Sequence, residues 1–165
     1  MSKNITTIHA ENVPDDLKKE RFDVVIAKDV IEHIQDEEQF LKDLSDCLKE
    51  DGILLLSTQS SFSFNYLSEG TYQKVWCNNS QWFGWDQTHL RFYTPSSLRK
   101  KLLKAGYLPE KWASVYIIPY NLLSWFVLLK KEINLPWLHY FDLLLGKTFP
   151  FSKLGWNIIV RARKR

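Results

Sequence analysis

The stretch from Phe22 to Ile34, FDVVIAKDVIEHI, constrains the fold more than any other part of this chain. A short, mostly apolar run from Asp23 to Ala27, flanked by charge, passes directly into a polar turn carrying Asp29, Glu32 and His33. Such a run reads as a strand covered on both faces of a parallel sheet, and we place it centrally. Carboxylates and an imidazole at a strand's carboxyl end belong where a doubly wound sheet opens its ligand crevice. The strand also comes early, so little of what precedes it in such a sheet is expected here.

From Asp36 the apolar period changes. Phe40, Leu41, Leu44 and Leu48 recur at helical spacing, behind Asp36, Glu37 and Glu38 in a first turn where the helix dipole favours negative charge. Asp51-Gly52 is the expected end of this helix, and Ile53 to Leu56 the next strand. Strand, helix, strand with parallel pairing is half of a nucleotide-binding type of architecture. Before it, Ile5 to Ala10 suits a short strand, and Glu11 to Glu20 a loop or a poorly formed helical turn.

Ser57 to Asp86 reads as a long loop rich in Ser and Asn, with Trp76, Trp82, Phe83 and Trp85 near its end. That much aromatic area argues against disorder and for either a pocket wall or core packing. Thr94-Pro95 then opens a helix as N-cap and first-turn proline, with Leu98, Leu102 and Leu103 as its buried stripe and Gly106 as its stop. Val115 to Leu129 is apolar but interrupted by Pro119 and Asn121, and at about fifteen residues it is shorter than the roughly twenty a membrane-spanning helix needs. Trp125, Lys130, Lys131, Trp137, His139 and Tyr140 continue an amphipathic texture that suits either a membrane surface or a cover for the domain's own core. Trp156 to Val160 reads as a terminal strand, with Arg161 to Arg165 as a basic tail.

Charge is unevenly spread. Seven Lys/Arg face 14 Asp/Glu through Ser60, against 15 and five in the remainder. The basic half, including Arg99, Lys100, Lys101 and Lys104, is foremost a solvated face, and nucleic acid is not an expected partner. Cys47 and Cys77 are too few for a disulfide framework and lack zinc-ligand spacing, so the expectations are a reduced cytoplasmic setting and no metal. The polar first twenty residues show no signal peptide.

FDVVIAKDVIEHI, the acidic helix after it, LKEDGILLLSTQ and THLRFYTPSSLRKKLLKAGY together resemble the class I S-adenosylmethionine-dependent methyltransferases, over roughly Ile5 to Leu108. The resemblance implies an α/β fold, an incomplete doubly wound (Rossmann-like) sheet of the class I methyltransferase type, in one partial domain spanning residues 1–165. An aromatic loop at 57–93 and an apolar amphipathic insertion at about 115–150 would interrupt it. It makes Phe22–Ile34 the fourth strand of that sheet, Leu48–Thr58 the fifth with its preceding turn, and Gly155–Arg163 the last. Ile8 to Pro14 resembles a segment that precedes the fourth strand, with His9 where the family often has an adenine-binding aspartate. A neutral imidazole accepts one hydrogen bond but brings no carboxylate charge.

The glycine-rich turn and the ribose-binding acid of such proteins belong upstream of Met1, and the chain has no GxGxxG-like sequence. By this resemblance S-adenosylmethionine is the cofactor, with His9, Ala10 and Asp29 on it. His89, His33 and Glu32 are the catalytic candidates, and Trp82, Trp85, Arg91 and Tyr93 the acceptor-binding ones. Each has a structural alternative: capping for Asp29, Glu32 and His33, loop pinning for His89, and core packing for the aromatics. The implied reaction is O-methylation of a small molecule, glycan or lipid-linked intermediate. The alternative is an inactive methyltransferase-like module that binds a protein or a membrane surface. Losing the first strands would leave an open sheet edge for an upstream half or a second copy to cover.

Overall fold

The computed structural model describes residues 13–118 and 136–165. The expected strand at Ile5–Ala10 and most of the apolar stretch from Val115 to Leu129 lie outside them, as do Trp125, Lys130 and Lys131. Four strands, β1 (Phe22–Lys28), β2 (Leu48–Gln59), β3 (Tyr107–Val115) and β4 (Asn157–Lys164), form one sheet in the order β1-β2-β4-β3. β1 and β2 are parallel, as the strand-helix-strand reading requires, while β4 runs antiparallel to both β2 and β3. The helices are α1 (Asp15–Lys19), α2 (Glu37–Asp46), α3 (Phe64–Thr71), α4 (Pro95–Lys104) and α5 (Pro136–Leu145).

The core lies on one face of the sheet. Leu54 and Leu56 of β2 and Ile158, Val160 and Ala162 of β4 alternate inward and meet Leu41 and Leu44 of α2 and Leu98 and Leu102 of α4. Period-2 strands against period-3.6 helices give this single apolar layer. Both helices start as their residues dictate. Asp36 accepts from the Gln39 amide at 3.0 Å, and Thr94 and Ser97 form a reciprocal capping box ahead of Pro95.

Several expectations are corrected. β1 is an edge strand among the described residues, not a central one, and it is not covered on both faces: Val24 and Ile26 are 49% and 70% exposed. Asp51-Gly52 does not end α2, which stops at Asp46. It sits inside β2, where the register shifts between the pairs Phe22–Leu48 and Val24–Ile53. Asp51 is left-handed there (φ 61°), and a Cβ on Gly52 would lie 2.8 Å from the Lys49 carbonyl oxygen. The signal therefore marks a bulge, which glycine serves as readily as a helix stop. Leu103 faces outward, 36% exposed, because only Leu98 and Leu102 point along the buried stripe. The long loop after Ser57 contains α3 and a π-helical turn at Tyr72–Trp76. Arg161, Arg163 and Lys164 belong to β4 and not to a tail. Arg161 and Arg163 both pair with Glu110 of β3, at 3.3 and 2.6 Å.

On α5, Trp137, Tyr140, Phe141, Leu143 and Leu144 are exposed, so this part of the amphipathic stretch does not cover the domain's core. The helix is tied down through its one buried acid. Asp142, 1% exposed, accepts the amides of Tyr116 (2.7 Å), Ile117 (2.8 Å) and Ile118 (3.0 Å) just beyond β3. Gly146 follows because a Cβ there would overlap the Ser114 carbonyl oxygen. No helix among the described residues is long and apolar enough to cross a membrane. Asp142→Ala would strand three amides at once and is expected to cost about 2–4 kcal/mol in chemical denaturation, with Asp142→Asn recovering part of the loss.

Candidate functional site

β1 and β2 end side by side, and the chain beyond β1 turns sharply. Asp29 adopts φ 51°, and its amide donates to the Ser57 carbonyl at 3.1 Å. One oxygen of its carboxylate accepts from the Ser57 hydroxyl at 2.9 Å and from the Asn157 side chain at 3.2 Å, joining the ends of β1 and β2 to the start of β4. A 3₁₀ turn at Ile31–His33 follows. Glu32 within it is fully buried, with Oε2 accepting from the Thr58 hydroxyl at 2.9 Å, whereas His33 is exposed.

Residues 86–93 close over this turn as a strap. The Leu90 amide donates to the Glu32 carbonyl at 2.9 Å, and the Arg91 guanidinium donates to the carbonyls of Ile34 and Gln35. At its far end the Tyr93 amide donates to Gln59, and the Ser61 amide to Tyr93. The strap places His89 against His33, ring centroids 4.6 Å apart and inclined at 62°. His89 is 6% exposed, with Nε2 3.5 Å from Asp86. The Thr88 hydroxyl and then the Thr88 amide hold the Asp86 carboxyl below its usual range.

The sequence candidates thus separate. Glu32, His33 and His89 come together at the carboxyl edge, with Asp29 beside them, while His9 and Ala10 lie outside the described residues. Tyr93 is 2% exposed, and its hydroxyl donates to Glu37; burial, then that carboxylate, pushes its pKa far upward. The ring sits in the core and Arg91 holds the strap, so both frame the site. Trp82 and Trp85 belong to an aromatic cluster that also contains Tyr66, Phe92 and Trp156. Trp85 meets Trp156 at 4.5 Å, Tyr66 meets Trp82 at 5.1 Å and Phe92 at 5.0 Å, and Phe92 meets His89 at 5.4 Å. Tyr66 and Phe92 were not singled out in the sequence, and Trp156 was read only as the start of a strand; Trp156 lies 71 residues beyond Trp85, and only the fold brings it there.

Four buried polar atoms in the described residues have no hydrogen-bond partner: Glu32 Oε1, Gln59 Oε1, His89 Nδ1 and Asn157 Oδ1. All four belong to this edge, and Gln59 and Asn157 are directly paired across β2 and β4. Buried polar groups are normally satisfied, so these four atoms set this edge apart among the described residues. A separate cleft between α2 and α4, where Lys101 and Lys104 pair with Glu37 and Glu38, contains none of these atoms.

Glu37 anchors the strap through Tyr93 and Arg91 and ties it to α4 through Lys101. Burial opposes its charge, yet Lys101, the Tyr93 hydroxyl and Arg91 outweigh it and hold the carboxyl below the usual range. A depressed carboxylate contributes stability that is complete above the unfolded pKa of about 4.3 and is lost as pH falls through the folded value. Stability measured from pH 7 down to 3 should therefore fall below about pH 4, and Glu37→Gln should remove that part of the acid dependence.

Residues 2–110 match the family model described as a methyltransferase domain. No curated protein matches the chain. Among solved structures, the chain is similar to an S-adenosylmethionine-dependent methyltransferase of Thermotoga maritima at 18% identity and a TM-score of 0.53, with 88% of this chain covering 57% of that one. It is likewise similar to one of Archaeoglobus fulgidus at 16% identity and a TM-score of 0.51, with 91% of this chain covering 64%. The chain therefore spans less than two thirds of either neighbour, and likeness at these identities speaks for the fold. With the family model covering about two thirds of the chain, this protein belongs to the methyltransferase-domain family.

Proposed function

We propose that this chain carries the acceptor-facing side of an S-adenosylmethionine-dependent O-methyltransferase acting on a hydroxyl of a small molecule, glycan or lipid-linked intermediate. The observation that carries this reading is the concentration of unpartnered buried polar atoms at the carboxyl ends of β1 and β2, next to an aromatic wall. Bound S-adenosylmethionine supplies an electrophilic methyl group, so the protein's task is to align an oxygen with it and manage that oxygen's proton.

The residues present fit one side of such a ligand. Asp29 has one carboxylate oxygen tied to Ser57 and Asn157, which keeps the group fixed at the strand ends, and the free amide oxygens of Gln59 and Asn157 can accept from amino or hydroxyl groups. Glu32, His33 and His89 supply the polar corner for the acceptor hydroxyl. Trp82 and Trp85, with Tyr66, Phe92 and Trp156 behind them, offer an apolar face that excludes water and suits a sugar ring or a lipid-linked group.

A second reading has its own observation. β1 leaves Val24 and Ile26 exposed on an edge strand, and α5 exposes an apolar face, as expected of a module that docks through them. An N-terminal half of the fold or a second copy pairing with β1 would cover that edge. Light scattering during size exclusion is expected to show self-association, and a clean monomer would count against the second-copy form.

The methyl-transfer reading is tested by calorimetric titration with S-adenosylmethionine. Weak binding is expected, reduced further by Asp29→Ala, while His89→Asn should keep donor binding and lower methyl transfer by roughly 100-fold or more. Failure to bind the donor, both alone and after supplying an N-terminal half, would remove the enzymatic reading.

A further inference from the structure

Glu32, His33 and His89 each offer one ligand atom, and those atoms all lie within 4.8 Å of one another. We propose that they form a binding site for a single divalent transition-metal ion. The cysteine pattern gave no hint of this, because the ligands are a carboxylate and two imidazoles brought together by the strap.

Three features of the surroundings support it. First, two of the three residues carry a buried, unpartnered atom of a metal-ligating type. Glu32 is 0% exposed and His89 6%, yet Glu32 Oε1 and His89 Nδ1 have no hydrogen-bond partner. A buried carboxylate oxygen and a buried imidazole nitrogen left bare together are costly unless an ion or ligand completes them.

Second, each ligand already has an orienting partner of the kind metal sites use. The Thr58 hydroxyl holds Glu32 Oε2 at 2.9 Å, Thr88 contacts His33 Nδ1 through its carbonyl at 3.3 Å and its hydroxyl at 3.2 Å, and Asp86 stands 3.5 Å from His89 Nε2. In both rings one nitrogen is tied to a neighbour, which leaves the other for a ligand. Asp86 is itself fixed by the Thr88 amide at 2.8 Å and hydroxyl at 2.6 Å.

Third, the site has one open side. His33 is exposed while the other two ligands are buried, so an ion could enter from solvent and keep a position for water or an acceptor oxygen. Three protein ligands with an open position is the pattern of reactive metal centres, and two imidazoles favour transition metals over magnesium or calcium. Metal–ligand bonds of about 2.0–2.2 Å put ligand atoms roughly 3.4 Å apart, so small side-chain movements would close the site.

The ion's role rests on the methyl-transfer reading: it would hold the acceptor oxygen and lower the pKa of its hydroxyl. Its binding does not rest on that reading, and it can be measured with neither methyl donor nor acceptor present. Manganese(II) is the probe, since it avoids thiolates and so ignores the exposed Cys77. Loss of the free-ion electron paramagnetic resonance signal on titration into the full chain should saturate at one ion per chain, and zinc should displace it. His33→Asn alters an exposed side chain, keeps the fold by circular dichroism, and should weaken binding tenfold or more. Thr58→Val, which frees Glu32 without touching a ligand, should weaken it by about 10–100-fold. Absence of saturable binding to the folded protein would overturn the proposal. So would an affinity unchanged from the unsubstituted chain in both His33→Asn and His89→Asn.

Discussion

Glu32 is the point on which the carboxyl edge depends. Its carbonyl holds the strap through Leu90, one carboxylate oxygen holds Thr58 of β2, and the other has no partner although the residue is fully buried. A carboxylate out of contact with water is expensive, and one hydrogen bond does not offset that cost. The surrounding elements limit the damage. Thr58 comes from the buried face of β2, and the 3₁₀ turn sets Glu32 beneath the strap. The ligand proposed for this edge would complete that oxygen.

Much of the framework was legible because local signals agreed with the global fold. The period change at Asp36 and the Thr94-Pro95 start each coincide with a capping bond, and Glu37 and Glu38 occupy the first turn of α2. The failures share a cause: each depended on what lies across the sheet. Whether Val24 and Ile26 are covered is set by a neighbouring strand, not by their own sequence. Asp51-Gly52 fits a helix stop and a bulge equally well, and only the pairing of Phe22 with Leu48 decides for the bulge. Leu103 carries the helical period yet falls outside the buried arc of α4.

At the site, strand-end chemistry was the visible part. Asp29, Glu32 and His33 follow an apolar run, and that order alone places them at a carboxyl edge. Proximity across more than fifty residues was not visible. His89 reaches His33 because Leu90 and Arg91 are fastened to the intervening turn, and Trp156 reaches Trp85 because β4 returns antiparallel beside β2. The same fastening uses Arg91, on the carbonyls of Ile34 and Gln35, and Tyr93, on Glu37. Tyr93 carries the aromatic signature of a pocket wall but has Glu37 on its hydroxyl, and burial decides its place.

The proposed ligand-binding edge lies where the carboxyl ends of β1 and β2 meet the start of β4. Nuclear magnetic resonance titration with S-adenosylhomocysteine tests it most directly, since it detects weak binding residue by residue. The expected shifts concentrate at the Asp29 amide, the side-chain amides of Gln59 and Asn157, and the Trp85 and Trp156 indoles. No shifts at saturating ligand, or shifts confined to the cleft between α2 and α4, would contradict it.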